Sequence, residues 1–152
     1  RKWTGLSKSK YKKYQGKKFE CIGLGKCTDS SGVVRADTST RIYESMLVSQ
    51  AFTTLTPKQQ ILYVYCKAQY YGKTKPANEC KELGLYQDDS YFYLSLKMVK
   101  TYGLYSDSTH SNFYKDMKAL EEHGLIKKVC GGKYKKKSIY QYSSEWQSWG
   151  TK

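Results

Sequence analysis

The sequence has few of the residues on which metal sites and disulfide frameworks depend. It contains only two histidines, His110 and His123, and five cysteines, an odd number with no C-x-x-C pair. A structural zinc ion needs four ligands at suitable spacing, and a secreted disulfide scaffold usually has an even set of cysteines. We therefore expect reduced thiols, no metal and no cofactor.

Long apolar runs are also missing. No stretch of ~18 apolar residues could span a bilayer, and no apolar segment follows the basic N-terminal region as it would in a signal peptide. We expect a soluble cytoplasmic protein without a membrane partner. Its 152 residues suffice for one ordinary domain and a tail.

Acidic residues are scarce beside basic ones. The chain has 27 Lys and Arg against 13 Asp and Glu, a formal net charge of +14. Residues 1–20 carry +7 of this charge and residues 127–137 carry +6, so the charge is concentrated in two segments. Such segments predict an anionic partner, either nucleic acid or an acidic membrane surface.

The first 40 residues are typical of a basic, partly flexible N-terminal arm with room for one short strand. Their aromatic residues alternate with lysines, which suits stacking on bases and contact with phosphates. The same aromatics could instead pack on the domain that follows, at residues 41–152. The aromatic residues concerned are Trp3, Tyr11, Tyr14 and Phe19.

The centre of the chain contains a clear helix start. Thr56, Pro57 and Gln59 form the pattern of a capping box with proline at the first helical position, which predicts a helix over about 57–71. Cys66 is expected beside its buried stripe as a core thiol. The stripe is predicted to consist of Ile61, Leu62, Tyr65, Ala68 and Tyr71.

The second half predicts two helices and a hairpin. Residues 92–102 indicate a short helix before Gly103, and residues 109–123 a longer one with Phe113, Met117 and Leu120 buried. Strands over 125–129 and 138–142 should flank a Lys-rich turn. Residues 73–89 fit either a short helix or a loop.

The pattern Phe113-x3-Met117-x2-Leu120-Glu-Glu-x-Gly124-Leu-Ile126, followed by a basic hairpin, resembles the recognition helix and wing of bacterial winged-helix DNA-binding proteins. The likeness covers residues 92–142. Residues 111–118 and 135–146 also resemble winged-helix proteins of plasmids, phages and integrative elements, including replication initiators. The resemblance implies an α+β winged-helix fold, with residues 109–118 in the major groove and 130–137 against the adjacent backbone or minor groove.

Two groups of residues are then expected to bind DNA. Because the apolar face of the 109–123 helix must turn inward, polar and basic side chains near its start remain outside: Thr109, His110, Ser111, Asn112, Tyr114, Lys115 and Lys118. The hairpin tip adds a compact cationic finger made of Lys133, Tyr134, Lys135, Lys136 and Lys137. The alternatives are an ordinary exposed helix face and lysines that protect a sheet edge.

We expect sequence-specific binding of double-stranded DNA, without catalysis, in replication initiation, transfer or transcriptional control of a bacterial mobile element. A homodimer, or replication and transfer proteins, are further partners left open. One alternative is a module for RNA or single strands. Another is a metal-dependent nucleic-acid enzyme, which would have to use Glu79, Glu82, Asp88 and Asp89.

Overall fold

The computed structural model describes residues 25–28, 32–37, 39–69, 77–82, 84, 90–106, 110–130 and 138–151. Within these residues the protein is a mixed α+β structure with a three-stranded antiparallel sheet. The helices are α1 (Glu44–Leu47), α2 (Gln50–Thr53), α3 (Pro57–Ala68), α4 (Ala77–Glu82), α5 (Leu96–Thr101) and α6 (His110–Glu122). The strands are β1 (Lys26–Thr28), β2 (Val34–Ala36), β3 (Tyr91–Phe92), β4 (Ile126–Cys130) and β5 (Ile139–Tyr142).

Part of the N-terminal region forms a β-hairpin, where the sequence predicted at most one short strand. Strand β1 pairs antiparallel with β2, and Cys27 lies opposite Arg35. The Asp37 amide donates to the Gly25 carbonyl at 3.0 Å and closes the ladder. Residues 1–24 lie outside the described residues, so the basic arm stays a prediction.

Helix α3 begins as predicted and buries part of the predicted stripe: Leu62 is buried, Tyr65 and Ala68 are half-buried, and Tyr71 lies outside the described residues. Thr56 Oγ1 accepts a hydrogen bond from the Gln59 amide at 3.2 Å, and the Thr56 amide donates to Gln59 Oε1 at 3.1 Å, which confirms the capping box. The predicted stripe was wrong at Ile61, which is exposed, whereas the neighbouring Tyr63 is buried. Because α3 packs on α6 and α2, their positions decide which face is covered.

The three-stranded sheet has the strand order β3-β5-β4, with both pairs antiparallel. The expected helix over 92–102 was wrong at its start, because Phe92 belongs to β3 and pairs with Tyr140. The Phe92 ring stacks on the Tyr142 ring with centroids 4.4 Å apart, a contact made by a strand from far along the chain. Helix α5 begins only after Ser95, whose Oγ accepts from the Met98 amide.

The predicted hairpin strands are confirmed. In β4 and β5, Ile126 pairs with Tyr142 and Lys128 with Tyr140, and a bulge follows at residue 129. Lys127 and Lys128 are exposed while Ile126 is buried, so this strand presents both lysines to solvent. The Lys-rich turn that joins the strands, residues 131–137, lies outside the described residues.

The main core lies between α3, α6 and the sheet. Cys66 of α3 is buried against α6, and its Sγ lies 3.9 Å from Met117 Sδ. Burial raises the pKa of the Cys66 thiol well above its ordinary value, so Cys66 is the protonated core thiol that the sequence predicted. Strand β5 joins this core because the Tyr142 hydroxyl donates to the Cys66 carbonyl at 2.6 Å.

Candidate nucleic-acid interface

Helix α6 has one apolar face and one polar face. Phe113, Met117 and Leu120 are all buried, as their spacing predicted. The opposite side is exposed, and its charge changes along the helix. An amide, a phenol and two ammonium groups come first, and two carboxylates follow at the end. Its residues are Asn112, Tyr114, Lys115, Lys118, Glu121 and Glu122.

The half-buried Asp116 fixes α6 to two other parts of the molecule. Its Oδ2 accepts a hydrogen bond from the Tyr105 hydroxyl at 2.5 Å, and its Oδ1 accepts one from Gln59 Nε2 at 3.1 Å. Gln59 also belongs to the capping box of α3, so one carboxylate links the start of α3, Tyr105 and α6 itself. The rotation of α6 about its axis is therefore defined by this network as well as by packing.

Tyr105 is the buried member of that network. Its ring meets the Phe113 ring edge-on at 5.6 Å, and Lys58 Nζ lies 4.4 Å from its centroid. Burial, and then the hydrogen bond to Asp116, raise the pKa of Tyr105 far above its ordinary value. The hydroxyl therefore stays protonated and donates to the carboxylate throughout the physiological range.

The far end of α6 is held by the C-terminal segment, which we define as residues 143–151. Trp149 Nε1 donates to the Glu122 carbonyl at 2.9 Å, and the Trp149 ring stacks on His123 at 4.3 Å. Gly124 ends the helix with φ +79°, and its carbonyl accepts from the Trp146 amide at 2.9 Å. One of the carbonyls that a helix end leaves unpaired thus receives an indole N–H.

The predicted site residues divide into three groups. Asn112, Tyr114, Lys115 and Lys118 lie together on the exposed face of α6. His110 and Ser111 belong to the first turn of α6, within which only their backbone is described. The remaining predictions lie outside the described residues: Thr109, Lys133, Tyr134, Lys135, Lys136 and Lys137.

Sequence reasoning missed several residues that shape this surface. Asp116 was not singled out, because a carboxylate within a helix ordinarily faces solvent and nothing nearby in sequence indicates its partners. Lys97 and Lys100 are two exposed cations on α5, the helix that precedes α6 in the chain. Lys127 was counted only as part of a charged segment, yet its Nζ lies 2.8 Å from Glu145 Oε2, which neutralises it locally.

The acids considered for a metal-dependent enzyme do not form a described cluster. Glu82 is exposed at the end of α4, the Glu79 side chain is not described, and Asp88 and Asp89 lie outside the described residues. Across the described part of the chain, no three His, Cys, Asp or Glu residues are placed to hold a metal ion. None of the helices described there has the length and apolar character needed to cross a membrane.

Comparison with known proteins gives no relative from which a role could be transferred. No protein-family model matches this chain, and neither the curated proteins nor the solved structures contain a match. The chain's own residues are therefore the only basis for assigning it a role.

Proposed function

We propose that this protein binds double-stranded DNA sequence-specifically through α6, as a binding protein and not as an enzyme. The proposal includes a winged-helix architecture. The order α3, β3, α5, α6, β4, β5, with strands arranged β3-β5-β4, supports it, because a winged helix places its wing between the last two strands of such a sheet.

The exposed face of α6 carries the proposal. Asn112, Lys115 and Lys118 point away from the buried Phe113 and Met117, and the first two lie in the N-terminal half of the helix. Asparagine can pair bidentately with adenine, and lysine can donate to guanine O6 or N7 or to a phosphate. A helix that presents these groups together is suited to the major groove.

The fixed position of α6 also supports DNA recognition. Discrimination between bases requires hydrogen-bonding groups held in place before binding, since ordering them costs free energy. The Asp116 network holds the middle of α6, and Trp149 holds its end. Asn112 and Lys115 therefore project from a helix that is braced at two points.

The two basic segments would supply phosphate contacts. Strands β4 and β5 lead into and out of residues 131–137, where four lysines and Tyr134 occur, and residues 1–20 carry +7. In this proposal, residues 131–137 contact the DNA backbone beside the major groove that α6 enters, and residues 1–20 contact neighbouring phosphates. Replication, transfer or transcriptional control of a bacterial mobile element are the processes that this binding would serve.

The proposal is tested by selecting bound sequences from a random duplex pool and titrating the winner, a scrambled duplex and a single strand over a range of salt. Asn112→Ala or Lys115→Ala should cost ~1–3 kcal/mol on the selected duplex only. Lys127→Ala is the matched control, because that lysine is exposed but paired with Glu145. No enriched sequence, or stronger binding to the single strand, would contradict the proposal.

A further inference from the structure

A half-buried lysine of α3, Lys58, lies beside α6. Its Nζ is 4.4 Å from the centroid of the Tyr105 ring. Because the face of an aromatic ring attracts a cation, the ring fixes the position of this ammonium group. Within the described part of the chain Lys58 forms no ion pair, so its positive charge is available to an anion from outside.

The Tyr105 ring connects this lysine to one flank of α6. The Tyr105 hydroxyl donates to Asp116 Oδ2, and its ring meets the Phe113 ring edge-on. Asp116 follows Asn112 by four residues, so these two side chains lie on the same flank, one helical turn apart. Lys58 therefore lies on the side of α6 that carries Asn112, a residue proposed to read a base.

The same flank carries one negative charge. Asp116 accepts hydrogen bonds from two neutral groups, the Tyr105 hydroxyl and Gln59 Nε2, and neither donor cancels the charge of the carboxylate. Among the described residues Asp116 has no ion-pair partner. A phosphate that approaches Asn112 would be repelled by this carboxylate unless a cation lay nearby. Lys58 supplies such a cation from α3.

The position of Lys58 on a neighbouring helix decides which part of the DNA it can reach. A helix with its side chains is about 10–12 Å across and fills a major groove about 12 Å wide. Lys115 and Lys118 belong to α6 and enter the groove with it. Lys58 belongs to α3 and stays beside the groove, where the sugar-phosphate backbone runs.

We infer that Lys58 binds a backbone phosphate of the DNA strand that borders the Asn112 flank of α6. The inference rests on the proposed DNA binding and adds a contact outside α6 and outside the two basic segments. Phosphate contacts set the register of a protein on the duplex, and base contacts then specify the sequence. An ammonium group held by the Tyr105 ring would set that register next to Asn112.

Salt dependence on the duplex enriched from the random pool tests the contact. Lys58→Gln removes one charge and should reduce the slope of log affinity against log salt by about 0.9, the value for one phosphate. Between about 50 and 200 mM salt, the wild type should then lose about 3.5-fold more affinity than the variant. Lys58→Arg keeps the charge and should keep the wild-type slope.

Lys67→Gln is the matched control. Lys67 is also half-buried on α3, and its Nζ lies 5.4 Å from the centroid of the Tyr142 ring. It is roughly 13 Å further along the helix than Lys58, and the ring beside it belongs to the sheet. Lys67→Gln should therefore keep the wild-type slope. Urea unfolding separates the roles, because a merely structural lysine at position 58 would change stability and leave the slope unchanged.

A neutral methylphosphonate, placed in turn at each phosphate of the same duplex, locates the contact. At the phosphate that Lys58 binds, the replacement should weaken the wild type by about 2- to 5-fold, as expected for one exposed ion pair. It should have no further effect on Lys58→Gln. This phosphate should border the base whose preference Asn112→Ala relaxes.

Two results would overturn the inference and leave the proposed function in place. One is a wild-type salt slope in Lys58→Gln on a duplex that the protein still selects. The other is a methylphosphonate scan in which no position distinguishes Lys58→Gln from the wild type. Failure of the proposed function is a different result, because the random pool would then yield no enriched duplex for the wild type, and both conclusions would be lost.

Discussion

Replacing Asp116 with alanine should destabilise the protein well beyond the effect of an ordinary helix-surface change. The substitution removes the acceptor for the buried Tyr105 hydroxyl and for Gln59 Nε2. A hydrogen bond to a charged group contributes ~1.5–3 kcal/mol, and an orphaned buried hydroxyl costs a similar amount. Gln59 is half-buried and can turn toward water, so its loss is smaller. The alanine variant no longer has to bury a charged carboxylate, which offsets part of this cost. We therefore expect the free energy of unfolding to fall by ~2–3 kcal/mol.

The assay is urea unfolding of a double-mutant cycle with Tyr105→Phe. If the 2.5 Å hydrogen bond contributes as argued, the two changes should be non-additive, with a coupling of ~1.5–3 kcal/mol. Asp116→Asn is the matched control, because it keeps an acceptor for Tyr105 but presents an amide that cannot satisfy both partners, and it should lose about half as much. Additivity within ~0.5 kcal/mol would refute the network.

Two further predictions concern the end of α6 and the buried hydroxyl and thiol groups. Gly124→Ala should lower the free energy of unfolding by ~2–4 kcal/mol, because φ is +79° and the added Cβ would lie 2.8 Å from the Trp146 backbone. Gly103→Ala is the control: its φ is +76° but the space around it is open, so the loss should be only ~1–2 kcal/mol. Equal losses of the two variants in urea unfolding would contradict the close contact at Gly124. Burial raises the pKa of Tyr63, Tyr105 and Cys66 above the ordinary values of 10.0 for tyrosine and 9.0 for cysteine. Below those ordinary values, the stability that these protonated groups confer is complete. Above about pH 9 the unfolded chain loses these protons first, so the free energy of unfolding should decline. An unfolding free energy that stays level or rises between about pH 8.5 and 10.5 would contradict this sign.

Local signals in the sequence were sufficient for the start of α3 and for the buried face of α6. Thr56, Pro57 and Gln59 specify a cap within four residues, so the whole signal is present in the local sequence. The buried face of α6 was also predictable, because Phe113, Met117 and Leu120 are strongly apolar and the other positions of that helix are mostly polar.

The failures occur where distant contacts decide the structure. Phe92 has the spacing of a helical residue, but pairing with Tyr140 and stacking on Tyr142 place it in a strand. In α3, both Ile61 and Tyr63 could have faced the core, and only the packing of α2 and α6 selects Tyr63. The hydrogen bonds of Asp116 and the contacts of the C-terminal segment with α6 also join residues that are distant in sequence. The apolar spacing along the chain therefore does not predict them.

The stacking of Trp149 on His123 gives the protein an optical reporter of its own. The chain has three tryptophans, and one of them, Trp149, donates directly to the last carbonyl of α6, at Glu122. An event that frees the end of α6 would break the hydrogen bond from this indole to Glu122 and so change the surroundings of the ring. With Trp3 and Trp146 replaced by phenylalanine, emission from Trp149 would follow the state of α6 without a label attached near its exposed face.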